Sequence, residues 1–397
     1  LKFKVILFGF IFTFFSSFGQ SYFLGLFNSS IREALSITHG QFGSIFASAT
    51  LCSSLLLIWV GKKIDDVNIF KFAFFVTILL SFACFFFSRI TSVFLLFIGI
   101  FLMRFSGQGM MSHTASTTIS RYFTKTRGRA LSISWFGLSS AEFVMPVLMV
   151  YLLTIIDWQN LWIIFSITVL IVLPIVSFLL IKNLNLDSRE ANDENKKEVE
   201  IKQWKRREVI KDYRFYIISS NMLAMPWIFT GFAVFQSFVQ TSKGWGPYVI
   251  AQSFMSYSIF SVLTLFLSGF LIDKYSSRKL LIYMNIPLLL SVIVLFSFDT
   301  PVTAFVFLGL VGISNGFANI LGSSTWAELY GVKYLGSIKA LTTALMVFAT
   351  AFGTALFGYL IDTGFTVGDI AVVSGTYIFI SLILLFFVRK KLNPVII

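Results

Sequence analysis

Twelve apolar stretches of about 20 residues constrain this 397-residue chain more than any other feature, because ~20 apolar residues in a helix cross the hydrocarbon of a bilayer. Numbered as spans 1 to 12, they lie at about 5–27, 41–61, 69–88, 91–113, 130–154, 160–181, 215–239, 248–272, 279–298, 302–325, 337–361 and 369–388. With 12% charged residues and a mean hydropathy of +0.85, the chain is not a soluble domain. The stretches lack the alternation of barrel strands. The sequence therefore predicts an all-α polytopic membrane protein with 12 transmembrane helices.

The net charge of +13 comes from basic residues that are concentrated in the loops on one side of the membrane, and it does not indicate a nucleic-acid surface. If the N-terminus is cytoplasmic, nearly all basic residues fall on the cytoplasmic side, and only Arg32, Arg89 and Lys243 fall outside. We therefore expect both termini in the cytoplasm, a location in the cytoplasmic (inner) membrane, the lipid bilayer as surroundings and no nucleic-acid partner. Span 1 is too long for a signal-peptide core and is expected to remain as a spanning helix.

Few residues suit catalysis or metal binding. Cys52 and Cys84 lie in apolar stretches, and the two histidines are far apart in sequence, so neither a disulfide framework nor a metal site is expected. A membrane enzyme would need clustered reactive groups, whereas Arg104 and Glu142 are the deeply placed ionisable residues. A channel would normally be an oligomer with a repeated pore element. We expect a monomeric carrier that is not an enzyme and needs no cofactor.

A polar segment separates the first six spans from the last six. The sequence predicts an N-terminal six-helix bundle at 1–182, a cytoplasmic linker at 183–214 and a C-terminal six-helix bundle at 215–397. The later part of the linker, IKQWKRREVIKDYRF (201–215), mixes apolar residues with a dense basic face. This pattern predicts a helix lying on the membrane surface.

The two halves repeat short motifs in corresponding loops. Gly61 and Asp65 lie at the end of span 2, and Gly269 and Asp273 lie at the same offset at the end of span 8. A basic residue before Ala-Leu also recurs after spans 4 and 10. Repeats in matching loops support pseudo-symmetric halves related by an axis along the membrane normal.

These motifs resemble those of the major facilitator superfamily of secondary transporters. GFLIDKYSSRK (269–279) is similar to its loop motif, a Gly, an Asp four residues on, and the basic pair Arg278 and Lys279. GKKIDD (61–66) keeps the Gly and the Asp without the basic pair. MRFSGQG (103–109) resembles the family's helix-4 motif. The resemblance implies alternating access, in which two bundles rock around a central site.

The loop motif leads to a gating hypothesis. An Asp after a helix end can accept hydrogen bonds from the N–H groups of a neighbouring helix N-terminus and can pair with loop arginines. Such contacts would hold the cytoplasmic side closed and break when it opens; the alternative is that they only fix topology and turn geometry. The gating candidates are Gly61, Asp65, Arg127, Arg129, Gly269, Asp273, Arg278 and Lys279.

Motifs in spans 5, 8 and 11 can be compared with those of individual branches of the superfamily to narrow the substrate class. Span 5 contains GLSSAEFVMP (137–146) and lacks the Gly-Pro pair that is usual in the family's drug/proton antiporters. The chain loosely resembles the oxalate/formate and monocarboxylate branch, but spans 8 and 11 carry no basic residue beyond the boundary residue Lys339. We therefore expect a small-molecule substrate, best a monocarboxylate-like anion, or a neutral solute. A drug/metabolite efflux antiporter and a non-transporting sensor are the alternatives.

The candidate binding residues are polar or aromatic groups within the spans that the family fold places around the pathway. Polar groups inside apolar helices are costly unless they face protein or water, and interhelical hydrogen bonding is the alternative role for each of them. The candidates are Gln20, Tyr22, Gln108, Asn221, Trp227, Asn315 and Asn319.

Arg104 in span 4 and Glu142 in span 5 are the two charged candidates for substrate binding and coupling. Counted from the cytoplasmic ends of their helices, the two charges lie within about one turn of the same depth. One hypothesis is a permanent ion pair that holds the N-terminal bundle together. The other is a conditional pair, in which a substrate anion occupies Arg104 and Glu142 then takes up a proton. The second hypothesis makes protons the coupling ion of a symporter.

Overall fold

The computed structural model describes residues 2–123, 127–182, 202–331 and 333–394, and within these ranges the chain is helical without a strand. Twelve helices there are long and apolar enough to cross a membrane, which confirms the predicted fold class. In order, the spans are Lys2–Gly25, His39–Ile64, Ile69–Phe87, Val93–Tyr122, Gly128–Leu152, Trp158–Ile181, Tyr213–Val234, Val249–Ile272, Ser277–Ser297, Pro301–Tyr330, Ser337–Asp362 and Val367–Lys391.

Several spans consist of more than one helical segment. The α-helices are Lys2–Ser16, Ser21–Gly25, Asn28–Leu35, His39–Val60, Ile69–Phe87, Val93–Met103, Ser112–Tyr122, Arg127–Leu152, Trp158–Ile181, Arg206–Val209, Tyr213–Val234, Gln236–Ser242, Val249–Tyr275, Ser277–Met284, Ile286–Ser297, Pro301–Tyr330, Leu335–Asp362 and Val367–Val388. A π-helix covers Arg104–Met111, and 3-10 helices cover Ser17–Gly19, Gly61–Asp65 and Arg389–Lys391.

The chain divides into two compact units, Leu1–Glu194 and Asn195–Ile397, with six spans in each. In the first unit, spans 3 and 6 are joined by reciprocal hydrogen bonds, because Ser81 Oγ donates to Ser166 O at 2.9 Å and Ser166 Oγ donates to Ser81 O at 2.8 Å. Hydroxyl pairs of this kind hold apolar helices together where the hydrophobic effect between helices is weak.

An aromatic cluster forms the core of the first unit beside the second half of span 1. The Trp162 ring lies 5.1 Å from Phe27, 5.8 Å from Phe23 and 4.7 Å from Phe87, measured between ring centroids. All four rings are buried. This packing fixes the position of Ser21–Gly25 after the chain leaves its first helix.

In the second unit, spans 8 and 10 pack backbone against backbone through small residues of span 10. A Cβ placed on Gly312 would collide with the carbonyl oxygen of Tyr257, and one on Gly316 would lie 2.7 Å from the carbonyl oxygen of Ser261. Spans 7 and 11 meet in the same way, since a Cβ on Gly353 would collide with the backbone of Trp227. Small residues at these crossings permit close helix packing.

The described end of the linker is less helical than the sequence predicts. One turn, Arg206–Val209, replaces the surface helix expected over 201–215, and residue 201 lies outside the described ranges. The physical reason is that its apolar side chains pack on the second unit: Trp204 lies 5.4 Å from the Tyr330 ring, and Val209 is fully buried. Hydrogen bonds from the Lys205 N–H and from Lys202 hold the pKa of Glu208, in this turn, below its usual range.

The close crossing of spans 8 and 10 predicts that a larger residue at the contact destabilises the protein. We expect Gly312→Ala to lower the free energy of unfolding by about 1–3 kcal/mol, because the added methyl group forces the two backbones apart. Gly322→Ala, in the same span with open space around its Cα, serves as the control and should be neutral or stabilising. The melting temperatures of the purified proteins in one detergent test this; equal values for both variants would contradict the packing argument.

Candidate functional site

Span 1 is broken in its second half. Its first helix ends at Ser16, a 3-10 turn covers Ser17–Gly19, Gln20 is extended (φ −80°, ψ 150°), and a new helix covers Ser21–Gly25. A break within a membrane-spanning segment exposes backbone groups that need other partners. In transporters, discontinuous helices of this kind frequently form binding sites.

Span 4 crosses span 1 at this break and has its own irregularity. Residues Arg104–Met111 form a π-helix between two α-helical segments. The two spans touch through glycines, because a Cβ on Gly19 would collide with the backbone of Met103 and Gln108, and one on Gly107 would lie 2.6 Å from the Gly19 nitrogen. A π-helical turn is frequent at functional sites and turns side chains away from the ordinary helical register.

Arg104, the first residue of the π-helix, donates hydrogen bonds to groups of span 1 at the break. Its Nη1 donates to Gly19 O at 3.0 Å and to Ser21 Oγ at 3.1 Å, and its Nε donates to Thr50 Oγ1 at 3.2 Å. The guanidinium group lies over the Phe46 ring at 5.3 Å. The side chain is 2% exposed. None of the described residues accepts a hydrogen bond from Nη2, so this nitrogen can donate to a ligand.

Glu142 lies in span 5 and is not paired with Arg104. Of the ion pairs between described side chains, none joins these two residues, so a permanent Arg104–Glu142 pair is not the arrangement in this structure. Glu142 is buried and interacts electrostatically with the buried hydroxyl of Tyr22 in the second segment of span 1. The backbone carbonyl of Glu142 also lacks its usual donor, because Pro146 has no N–H.

The other candidates in the first unit lie around the same break. Gln20 is the extended residue itself, and Gln108 is in the π-helix beside the glycine contact. Both side chains are half-buried and make no hydrogen bond to any part of the chain that the structure describes. Gln20, Tyr22, Arg104, Gln108 and Glu142 therefore come from three spans that meet at one irregular crossing.

The second unit contains a cavity of about 210 Å³ lined by spans 7, 9, 10 and 11. Asn315 and Asn319 of span 10 both line it, as their spacing on one helix face predicts. Asn315 donates to Ser261 Oγ at 2.9 Å, and Asn319 is exposed. Trp326 forms part of the wall.

Two sequence candidates lie away from this cavity. Asn221 is fully buried, donates to Ser381 Oγ at 3.4 Å and accepts from the Asn285 side chain through its backbone carbonyl. Trp227 is packed edge-on against the rings of Phe352, Phe357 and Tyr377. Neither residue is in the cavity lining. Both hold spans together because their side chains point to neighbouring helices.

Sequence reasoning missed most of the cavity wall. Four methionines line it, namely Met222, Met225, Met284 and Met346. Methionine is flexible and polarizable, so a wall of this kind adapts to ligands of different shape. In the sequence these residues are ordinary apolar positions in three different spans, and no spacing marks them as neighbours.

The loop after span 2 is held by the end of span 4. His113 Nε2 lies 3.0 Å from Gly61 O, and Arg121 Nη1 donates to Ile64 O at 3.0 Å. Among the predicted gating residues nearby, Arg129 is exposed, whereas the side chains of Asp65 and Arg127 lie outside the described part of the chain. Sequence reasoning did not assign this role to Arg121 or His113.

The loop after span 8 is held by Glu328 at the end of span 10. Its carboxylate accepts from Ser277 N at 2.9 Å and Arg278 N at 3.4 Å, and Arg278 Nε lies 3.3 Å from Glu328 Oε2. A carboxylate at a helix N-terminus satisfies free N–H groups. Gly269 is half-buried and Lys279 is exposed, while the Asp273 side chain is outside the described set.

Comparison with known proteins agrees with this architecture. The sequence profile described as Major Facilitator Superfamily matches residues 9–255 and 217–396. A search of curated protein sequences gives no significant match.

Two solved structures illustrate the shared fold. A bacterial homologue of the human lysosomal transporter Spinster, in an inward-facing, unoccupied conformation, is 14% identical with a TM-score of 0.73, covering 98% of this chain and 97% of that one. The nucleoside transporter NupG is 15% identical with a TM-score of 0.70, and the match covers 98% of each chain. At these identities, the likeness is one of fold.

The different positions of Trp227 and Asn319 predict different effects. We expect Trp227→Ala to lower the free energy of unfolding by about 3–5 kcal/mol, because it empties a packed aromatic site. Asn319→Ala, on the cavity wall, should change it by less than about 0.5 kcal/mol. Thermal unfolding of the purified variants measures both, and an unaltered melting temperature for Trp227→Ala would show that this side chain is not part of the packing.

Proposed function

This chain belongs to the major facilitator superfamily of membrane transporters, and on that premise we propose that it is a secondary active transporter of a small organic anion, coupled to protons. The observation that carries the proposal is the buried Arg104 at the broken segment of span 1, with Nη2 unused by the described residues. We further propose that it works as a monomer by alternating access in the cytoplasmic membrane, with both termini in the cytoplasm.

The anion is assigned to Arg104 because of how this cation is held. Nε and Nη1 are fixed by Thr50, Ser21 and the Gly19 carbonyl, all of them neutral acceptors, and no described carboxylate forms an ion pair with the guanidinium. A buried charge without a counter-charge is costly, and a carboxylate bound at Nη2 removes that cost. A carboxylate also accepts charge-assisted hydrogen bonds from guanidinium groups. These contacts support a monocarboxylate as the substrate class.

Proton coupling is assigned to Glu142 for a related reason. It is buried with no cation paired to it among the described residues, and its electrostatic neighbour is the Tyr22 hydroxyl. A carboxylate at this depth is most stable with a counter-charge or a proton. Tyr22 and Arg104 both contact the same broken segment, since Arg104 holds Gly19 and Ser21. The span 1 neighbours of the proposed substrate site, Gly19 and Ser21, would therefore lie three residues and one residue from Tyr22, the neighbour of the proposed proton site.

A drug/metabolite efflux antiporter is the second candidate, favoured by the methionine-lined cavity of the second unit. Its wall is mainly apolar, with Asn315, Asn319 and a few hydroxyl groups as polar positions. Such a cavity suits a neutral or amphipathic solute of variable shape. The two candidates differ in the charge of the substrate, so the Arg104 variant described next separates them.

The coupling proposal predicts a split between two variants in proteoliposomes. Glu142→Gln should keep counterflow of labelled substrate and lose the stimulation of uptake by a proton gradient. Arg104→Ala should lower both the counterflow rate and the gradient-driven uptake rate by about tenfold or more. A tenfold loss corresponds to ~1.4 kcal/mol of substrate binding free energy. The labelled substrate is first chosen by a thermal-shift screen of carboxylates, sugars, amino acids and nucleosides. We expect small monocarboxylates to give the stabilising hits.

Two exposed residues provide matched controls, Glu33→Gln and Arg89→Ala, which should leave both assays unchanged. Loss of counterflow in Glu142→Gln at a normal melting temperature would contradict the coupling role. Full transport by Arg104→Ala would contradict the anion site and favour the efflux candidate. Binding of substrate without any counterflow in the unsubstituted protein would favour a sensor.

We also propose that the loop motifs gate the cytoplasmic side. The support is that both loops are tied to the end of a neighbouring span, by Arg121 after span 2 and by Glu328 after span 8. Asp65→Asn and Asp273→Asn should slow transport severalfold while expression stays normal. Asp66→Asn is the control, because its pair with Lys63 is 3.8 Å long and exposed. Equal exchange rates in all three variants would contradict gating.

A further inference from the structure

A second, basic cavity lies in the C-terminal unit, away from the methionine-lined one. It measures about 350 Å³ and opens between the first turns of span 9 and the end of span 12. Four cationic side chains line it: Arg278 and Lys279 from span 9, and Arg389 and Lys390 from span 12. No carboxylate is part of its lining within the described residues. The proposed substrate and proton sites make no use of this cavity, although Arg278 and Lys279 also belong to the loop motif after span 8.

Most of this charge is not compensated. Arg278 is paired with Glu328 and also donates to Leu392 O at 2.7 Å and Asn393 Oδ1 at 2.9 Å. For Lys279, Arg389 and Lys390, by contrast, no ion pair is formed with any described carboxylate, and all three are exposed. Three positive charges thus converge on one opening, where they attract an anion.

The walls of the cavity are apolar as well as basic. Ile282, Tyr283 and Leu385 lie beside the cations in the lining. Phe386 and Phe387 are exposed on the adjoining surface of span 12, and the Arg389 guanidinium lies 3.8 Å from the Phe386 ring centroid. The cavity therefore lies where two apolar helices end, at the level at which lipid headgroups meet hydrocarbon.

We propose that this cavity binds the headgroup of an anionic phospholipid, with the phosphate between Lys279 of span 9 and Arg389 and Lys390 of span 12. The acyl chains would lie along Tyr283 and Phe387. A small soluble anion would use the cations and leave the apolar wall in contact with water, whereas a phospholipid satisfies both. Basic pockets between transmembrane helices are sites of this chemistry.

The site also involves the C-terminal stretch of the chain. Arg278 holds Leu392 and Asn393, and Arg214 Nη1 donates to Lys391 O at 3.2 Å and Asn393 O at 2.9 Å. This clamp keeps the end of span 12 against span 9 and so shapes the cavity before any ligand arrives. Preorganisation of this kind lowers the cost of binding.

The test is a titration of the purified full chain in neutral detergent, with the melting temperature as readout. Phosphatidylglycerol should raise the melting temperature at concentrations where phosphatidylcholine of the same acyl chains and inorganic phosphate do not. The double variant Lys279→Gln/Lys390→Gln should weaken the apparent affinity for phosphatidylglycerol roughly 30-fold, about fivefold for each lysine. Both lysines are exposed, so folding should be unaffected.

The control Lys4→Gln/Lys71→Gln removes two exposed lysines from the N-terminal unit and should keep the affinity within about twofold. Equal stabilisation by the two lipids, or an unchanged affinity in the Lys279/Lys390 variant, would overturn the proposal. Equal stabilisation by inorganic phosphate would assign the cavity to a soluble anion instead. If phosphatidylglycerol binds only after three acidic residues of the cytoplasmic linker, Glu194, Glu198 and Glu200, are changed to Gln, the occupant is that linker, and the lipid proposal fails.

Discussion

The hydrogen bonds between the Arg104 guanidinium and the second half of span 1 are the contacts on which the first unit depends. Span 1 cannot break within an apolar layer unless its freed backbone groups find partners. Arg104 bonds the carbonyl of Gly19 and the hydroxyl of Ser21, and it reaches Thr50 on a third span. The break and the buried charge therefore stabilise one another, and the π-helix of span 4 sets where the guanidinium lies.

This arrangement explains how one cation could stabilise the fold and also hold the anion that we propose as substrate. Its bonded nitrogens are held by neutral groups, so its charge stays available to an anion at the remaining nitrogen. Glu142 is close to Tyr22 rather than to Arg104, and the two charges do not neutralise each other in this structure. In the proposed cycle, the charge state near each of these two residues changes, and their neighbours on span 1 lie in the same broken segment.

In both units, a charged residue at the end of one span holds the loop after another span, but the sign of the charge differs. In the first, the cation Arg121 at the end of span 4 bonds the carbonyl of Ile64. In the second, the anion Glu328 at the end of span 10 accepts from the amide of Ser277. Each contact ties the loop after one span to the end of another. The repeat preserved the position of the contact, while the sign of the charge followed the backbone group that each loop presents.

The sequence by itself determined the number of spans, the two-half organisation and the family, because length, hydropathy and loop motifs are local properties of the chain. It also located Arg104, Glu142, Asn315 and Asn319, since a polar group in an apolar run is conspicuous wherever it occurs. Only the tertiary structure decided the partner of each group: Trp227 faces neighbouring rings instead of a cavity, and the four methionines gather from three spans. Pairing and cavity lining depend on which helix faces meet, and that is set by contacts between residues far apart in sequence.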